Sequence, residues 1–305
     1  MKSDLKTSLD RLYASFNHPD SAFDPVQVVR RYPRLEDGEI VAFIAAGLAF
    51  GRVQSVVASI ESICRVLGDA PAAFVRQFDP ARDGRPLHSL VHRWTRGRDF
   101  VALLWMLRCI LEVHGSLERA FANANDPADP DIGRAIETFC SEGRTIDFRP
   151  AYGGVPAAPG VFYFLARPST GSACKRINLF LRWMVRQDWV DPGGWTSLPA
   201  RQLVVPLDTH IIRTGRCLGL TRRASPGWKM ASEITAALRA CDPADPVRYD
   251  FALCHLSMMG MCDFSGEKSS SRCPLNSVCR ARAKQGQRSK DKGQKEVKRQ
   301  RVKGS

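Results

Sequence analysis

The sequence predicts an all-α fold. Apolar residues recur at helical spacing along most of the chain, and runs of alternating β-branched residues are scarce. The main interruption is a Gly- and Pro-rich crossing, Tyr152-Gly153-Gly154-Val155-Pro156-Ala157-Ala158-Pro159-Gly160, within residues 144–168. Asp24-Pro25 predicts a capped helix start with proline at the first position. Glu36-Asp37 lead into Ile40 to Phe50, apolar on nearly every face, which predicts a centrally buried helix ended by Gly51. Val53, Val56, Val57, Ile60, Ile63 and Leu67 continue the helical period. Asp99 is expected to cap Phe100 to Val113, and residues 131–139 read as a shorter amphipathic helix. Further helices are expected over 173–185, 208–218, 226–239 and 246–260.

The 305 residues can hold one large domain or two modest ones, and 44% hydrophobic residues is ordinary for a globular core. Net charge is +14, which favours a polyanionic partner. From Arg280 onward, eleven basic residues against two acidic ones carry +9 of that charge. This stretch has almost nothing apolar and is expected to be a disordered basic tail, 280–305. No apolar run is long enough to span a bilayer, and the polar start is unlike a secretory leader, so a cytoplasmic protein with reduced thiols is expected. Of the ten cysteines, Cys64, Cys109, Cys140 and Cys217 fall in apolar-periodic segments and read as small core residues. His18, His88, His92 and His114 show no metal-ligand spacing and read as surface or capping residues.

Two segments carry chemistry. Gly171-Ser172-Ala173 is a turn without bulk before a helix, where backbone N–H groups can approach a phosphate. Lys175 stands in the first turn of that helix, whose positive end, with burial against a nucleotide, favours the neutral amine nucleophile. Downstream, Pro206-Leu207-Asp208-Thr209-His210 opens another helix. Asp208 there is an N-cap by position, and its carboxylate can also take a proton or face the positive charge that develops on a ribose ring.

Lys175-Arg176-Ile177-Asn178 and Leu207-Asp208-Thr209-His210-Ile211 resemble the hairpin lysine motif and the V-D-T-H-V/I element of the helix-hairpin-helix DNA glycosylases, the endonuclease III-like superfamily. The family hairpin reads G-x-G-x-K-T-A-N; Gly171 holds its first glycine, Ala173 replaces the second, and Lys175 and Asn178 hold the lysine and asparagine. Residues from about 10 to 279 also look like an uncharacterised bacterial branch of this superfamily, through Leu181 to Arg186 and Val190-Asp191-Pro192-Gly193-Gly194-Trp195. The long spacer from lysine to aspartate is similar to that of archaeal 8-oxoguanine glycosylases, the one pointer to an oxidised purine.

The resemblance implies a two-lobed fold over 1–279, with a central lobe at about 36–200 and a second from 1–35 plus 201–279, and double-stranded DNA bound between them. It implies base-excision repair: Lys175 would form the Schiff base with C1′ of a damaged nucleotide, and Asp208 would assist loss of the base and the later proton transfers of an AP lyase. Gly171, Ser172, Ala173 and Arg176 would hold phosphates, and the lysine chemistry requires no cofactor. A non-catalytic module of the same fold that recognises damaged or bent DNA is the alternative.

Three features depart from or extend that pattern. The family's polar S-x-Q element, which fills the gap left by a flipped base, corresponds to apolar Ala45 to Phe50; Leu48 or Phe50 could wedge into the stack, with core packing as the competing fate. The family's iron–sulfur loop, C-x6-C-x2-C-x5-C, is matched by Cys262, Cys273 and Cys279, with Ser270 where the fourth thiolate is expected. Either a [4Fe–4S] cluster survives, with Cys254 or His255 as substitute ligand, or the loop has lost it and keeps free thiols that respond to redox or hold metal independently. Trp189 and Trp195, in a Gly- and Pro-containing loop, are candidates for stacking on an extruded base, whereas Trp183 falls at core spacing.

Overall fold

The computed structural model describes residues 2–19, 24–261 and 273–279, and its chain is predominantly helical. The expected tail, Cys262 and Ser270 lie outside those residues. The polar N-terminus forms a helix that its composition does not announce, α1 (Lys2–Phe16), which buries Leu9 and Leu12. In α2 (Val26–Val29) Pro25 is the N-cap rather than the first helical residue, and the Asp24 carboxylate, one position earlier, accepts from the Val26 N–H at 3.0 Å. α3 (Leu35–Leu48) is buried at every position from Asp37 to Leu48, so it is the central helix expected. It ends before Gly51, because Ala49 leaves helical geometry at ψ 62°. α4 (Val53–Leu67) has the expected bounds, and α5 (Pro71–Arg76) and α6 (Pro80–Asp83) are short helices that start at proline.

A β-hairpin follows that the sequence did not reveal: β1 (Val91–His92) pairs antiparallel with β2 (Thr95–Arg96) across a two-residue turn. α7 (Gly97–His114) begins earlier than expected. Asp99 is its third residue rather than its cap, and its carboxylate reaches back to the Arg96 N–H at 2.8 Å. α8 (Leu117–Ala124), α9 (Gly133–Thr145) and α10 (Arg149–Tyr152) lead into the Gly- and Pro-rich crossing. The last four helices are α11 (Lys175–Val185), α12 (Thr209–Leu218), α13 (Trp228–Arg239) and α14 (Asp250–Met258).

The buried apolar side chains form one continuous core. α3 is its axis and packs against α2, α4, α5 and α11, while α12 packs on α14 and α14 on α1. This arrangement brings the starts of α11 and α12 and one side of α14 to the C-terminal end of α3. Beneath that junction lies a buried ionic network. Arg182 bonds Asp250 at 2.5 Å and Asp191 at 3.0 Å, and Arg186 bonds Asp191, Asp188 and Asp245. Burial opposes charge on Arg182, yet Asp191 and Asp250 hold its pKa above the ordinary value. Such a network ties α11 to α14 and to the loop after α11, and each charge in it depends on the others.

No single helix among the described residues is long and apolar enough to cross a membrane. α7 and α8 meet that test only as a pair bent by 64°, and both bury most of their apolar residues in the core, Val113 being exposed.

Candidate functional site

Lys175 and Asp208 line one cavity, of about 450 Å³, at the end of α3. Ala49 to Gly51, Trp183, Asp250, Phe251, Cys254 and His255 complete much of its wall. The volume lies within the roughly 300–1,000 Å³ typical of small-molecule sites.

The turn before Lys175 is held in an unusual shape. Gly171 has φ +79°, and Cys174 takes φ +49°, a left-handed conformation that costs a non-glycine residue about 1–3 kcal/mol. Three contacts pin it: Ser172 Oγ accepts from the Cys174 N–H at 3.2 Å, the buried Asn178 amide donates to the Ala173 carbonyl at 3.0 Å, and the Gly171 carbonyl accepts from the Trp228 N–H at 3.2 Å. Lys175 is the first residue of α11, and its Nζ donates to the Ala49 carbonyl at 3.0 Å, which anchors the amine at the end of α3.

Asp208 is the N-cap of α12, as its position predicts. Its Oδ1 accepts from the Ile211 N–H at 2.8 Å, which leaves Oδ2 toward Cys254, whose Sγ donates to it at 3.5 Å. Burial, with the negative charges of Asp208 and Asp250, pushes the Cys254 thiol well above its ordinary pKa. Cys254 is therefore a protonated donor at neutral pH. No local motif marks this contact, which joins residues 46 positions apart.

Two buried polar atoms on cavity-lining side chains have no hydrogen-bond partner, Asp250 Oδ1 and Trp183 Nε1. One is an acceptor and the other a donor, and an unmet buried group costs about 1–3 kcal/mol. Burial pushes the Asp250 carboxyl up to about 6, against the pull of Arg182.

On the far side of Phe50 lies a second cavity, of about 240 Å³, lined by Tyr163, Ser172, Ala173, Lys175 and Arg176. The Arg176 guanidinium lies 3.2 Å from the Tyr163 ring centroid, and no carboxylate among the described residues pairs with it. Burial pushes its pKa down to about 9, so it is still a cation at neutral pH. The four residues expected at phosphates, Gly171, Ser172, Ala173 and Arg176, thus share one turn beside Lys175.

The two expected stacking tryptophans are elsewhere. Trp195 is buried against Phe121 and Phe180, because its loop folds back over the core. Trp189 is 59% exposed and lines a different pocket, with Arg30 and Phe251. Trp183 reaches the cavity wall instead, while remaining only 1% exposed. Leu48 is fully buried in the core, whereas Phe50 is half-buried in the cavity wall. His92, expected at the surface or at a cap, is buried between Ser59 and the Phe50 carbonyl.

Among the described residues no three His, Cys, Asp or Glu side chains are grouped to hold a metal ion. Cys279 Sγ instead lies 2.8 Å from Cys217 Sγ on α12, so Cys217 is half-buried beside the cysteine loop rather than a plain core residue. Cys254 faces Asp208, and His255 Nδ1 bonds the Phe251 carbonyl. Cys262 and the segment up to residue 272 lie outside the described residues, so the four-thiolate loop as a whole is not described.

Residues 24–259 match the family model described as "Protein of unknown function (DUF2400)", and the chain belongs to that family. No curated protein and no solved structure matches it.

Proposed function

We propose that this protein is a DNA base-excision glycosylase with an associated AP lyase activity, acting through Lys175. The observation that carries the proposal is the meeting of Lys175 and Asp208, from separate helices 33 positions apart in sequence, in the wall of one cavity. Arg176 and the small-residue turn support it as a place for backbone phosphates. Trp183 Nε1 and Asp250 Oδ1 support it as a donor and an acceptor for the polar edge of an extruded base.

In this reading the Lys175 amine attacks C1′ with its lone pair while the bond from C1′ to the base breaks, and the departing base keeps that electron pair and takes up a proton from solvent. Asp208 faces the positive charge that builds on the sugar, then accepts a proton from the alkylated amine. The C1′–O4′ bond then breaks, the ring oxygen takes that proton from Asp208, and a protonated imine joins Lys175 to C1′. Transfer of a C2′ proton from it to the freed Asp208 carboxylate expels the 3′ phosphate and nicks the strand. Cys254 holds the Oδ2 side of the carboxylate, and the cap to Ile211 holds the other.

Borohydride reduction during reaction with abasic or 8-oxoguanine duplexes tests the reading. A covalent protein–DNA adduct that vanishes in Lys175→Gln is expected. Salt-sensitive binding without any adduct, unchanged by Lys175→Gln, would indicate the non-catalytic module instead.

A further inference from the structure

The β1–β2 hairpin packs through Trp94 on Phe50, a residue of the Lys175 cavity wall, and leaves an aromatic face outward. Its turn residues are Arg93 and Trp94. Arg93 has φ +58°, where glycine or asparagine would be less costly, and its guanidinium rests on Gly51: a Cβ there would meet Arg93 Nε at 3.0 Å. Trp94 is 56% exposed, yet one face is held, stacked on Phe50 at 4.7 Å and 21°. Tyr163 meets both rings edge-on. Below the turn, His92 fixes the hairpin by bonds to Ser59 and the Phe50 carbonyl. Phe50 also lines both cavities, so the stack is continuous with the wall that holds Lys175.

The surroundings are cationic. Arg93 and Arg96 in the hairpin, Arg52 beside Gly51 and Arg98 just after the hairpin are exposed, Arg98 donating to the Tyr152 carbonyl at 3.4 Å, and Arg176 lies against Tyr163. Among the described residues none of these five arginines is in an ion pair with a carboxylate. A rigid aromatic ring with one free face, ringed by unpaired arginines, suits a base attached to phosphates.

We propose that this hairpin is a base-stacking platform, on which the outer face of Trp94 takes an unpaired base of a DNA strand while the neighbouring arginines meet its phosphates. The occupant rests on the DNA reading above, but the platform does not depend on Lys175 chemistry. Trp94 touches neither Lys175 nor Asp208 in the described contacts. It is a binding residue.

The test is affinity of the full chain for a single-stranded oligothymidylate and for a duplex with an abasic site, by fluorescence anisotropy across a salt series. Trp94→Ala is expected to weaken binding by about tenfold, since one stacked base contributes on the order of 1–3 kcal/mol. Trp94→Phe keeps a π-face and is expected to recover most of that loss. The salt slope should be unchanged in Trp94→Ala, because stacking releases no counterions, and shallower in Arg93→Ala. Binding of Trp94→Ala within about twofold of wild type, equal losses in the Ala and Phe variants, or no binding by wild type would each overturn the platform. Borohydride trapping on the same variants separates it from the lyase. An adduct with Trp94-independent binding sinks only the platform; Trp94-dependent binding without an adduct sustains the platform and sinks the lyase.

Discussion

Asp208 has two roles that a substitution can separate. Asparagine caps a helix about as well as aspartate, so Asp208→Asn should leave the melting temperature nearly unchanged while base excision falls sharply. Asp208→Ala should lose about 1 kcal/mol of stability as well. If Asp208→Asn excises at the wild-type rate, the carboxylate is only a cap. Asp250 offers a second separation. Asp250→Asn should slow excision of a base yet leave trapping on a preformed abasic site intact, because no base remains to be read there. Equal loss of both would mean that it only supports Arg182. Lys175 and Asp208 were legible in the sequence because each sits in a short local motif. Cys254, Trp183 and Trp94 were not, since their roles come from contacts between segments far apart in the chain.

Between elements, buried charge sets the terms. Arg182 on α11 holds Asp250 on α14 and Asp191 in the following loop, all at most 4% exposed. Arg182→Met should cost about 3–5 kcal/mol, because Asp250 stays buried without its cation and Asp191 keeps only Arg186. A denaturant midpoint close to wild type would contradict that. Glu39 links α3 to α8 by accepting from the Leu117 and Glu118 N–H groups at 3.1 and 3.3 Å. Burial pushes its carboxyl up to about 7 from 4.5, against those two donors. The folded chain therefore keeps a proton there that the unfolded chain has already released. This contribution to stability is complete below pH 4.5 and is lost as the pH rises through about 7. Melting temperature should fall more steeply with pH across that window in wild type than in Glu39→Gln, and parallel curves would contradict the assignment. Long periodic helices such as α3 and α4 were readable from their apolar spacing. The hairpin was not, because two-residue strands carry no period and Arg93-Trp94 is not a turn signature. α1 escaped for a related reason, as it buries only a narrow stripe against α14.

At the scale of the molecule, charge is divided between a mildly basic body and the strongly basic segment after Cys279. Truncation after Cys279 should weaken binding to every DNA and flatten its salt dependence, while the difference between wild type and Trp94→Ala persists. A salt slope unchanged by truncation would show that the segment makes no phosphate contact. The all-α class followed from the sequence because periodicity is local. The junction of α3, α11, α12 and α14 did not, because it depends on how helices cross.

The most direct measurement is mass spectrometry of the protein after borohydride reduction with abasic DNA. A DNA-derived mass is expected on the peptide that contains Lys175 and is lost in Lys175→Gln. An adduct on another lysine, or none from a folded, DNA-binding wild-type protein, would contradict it.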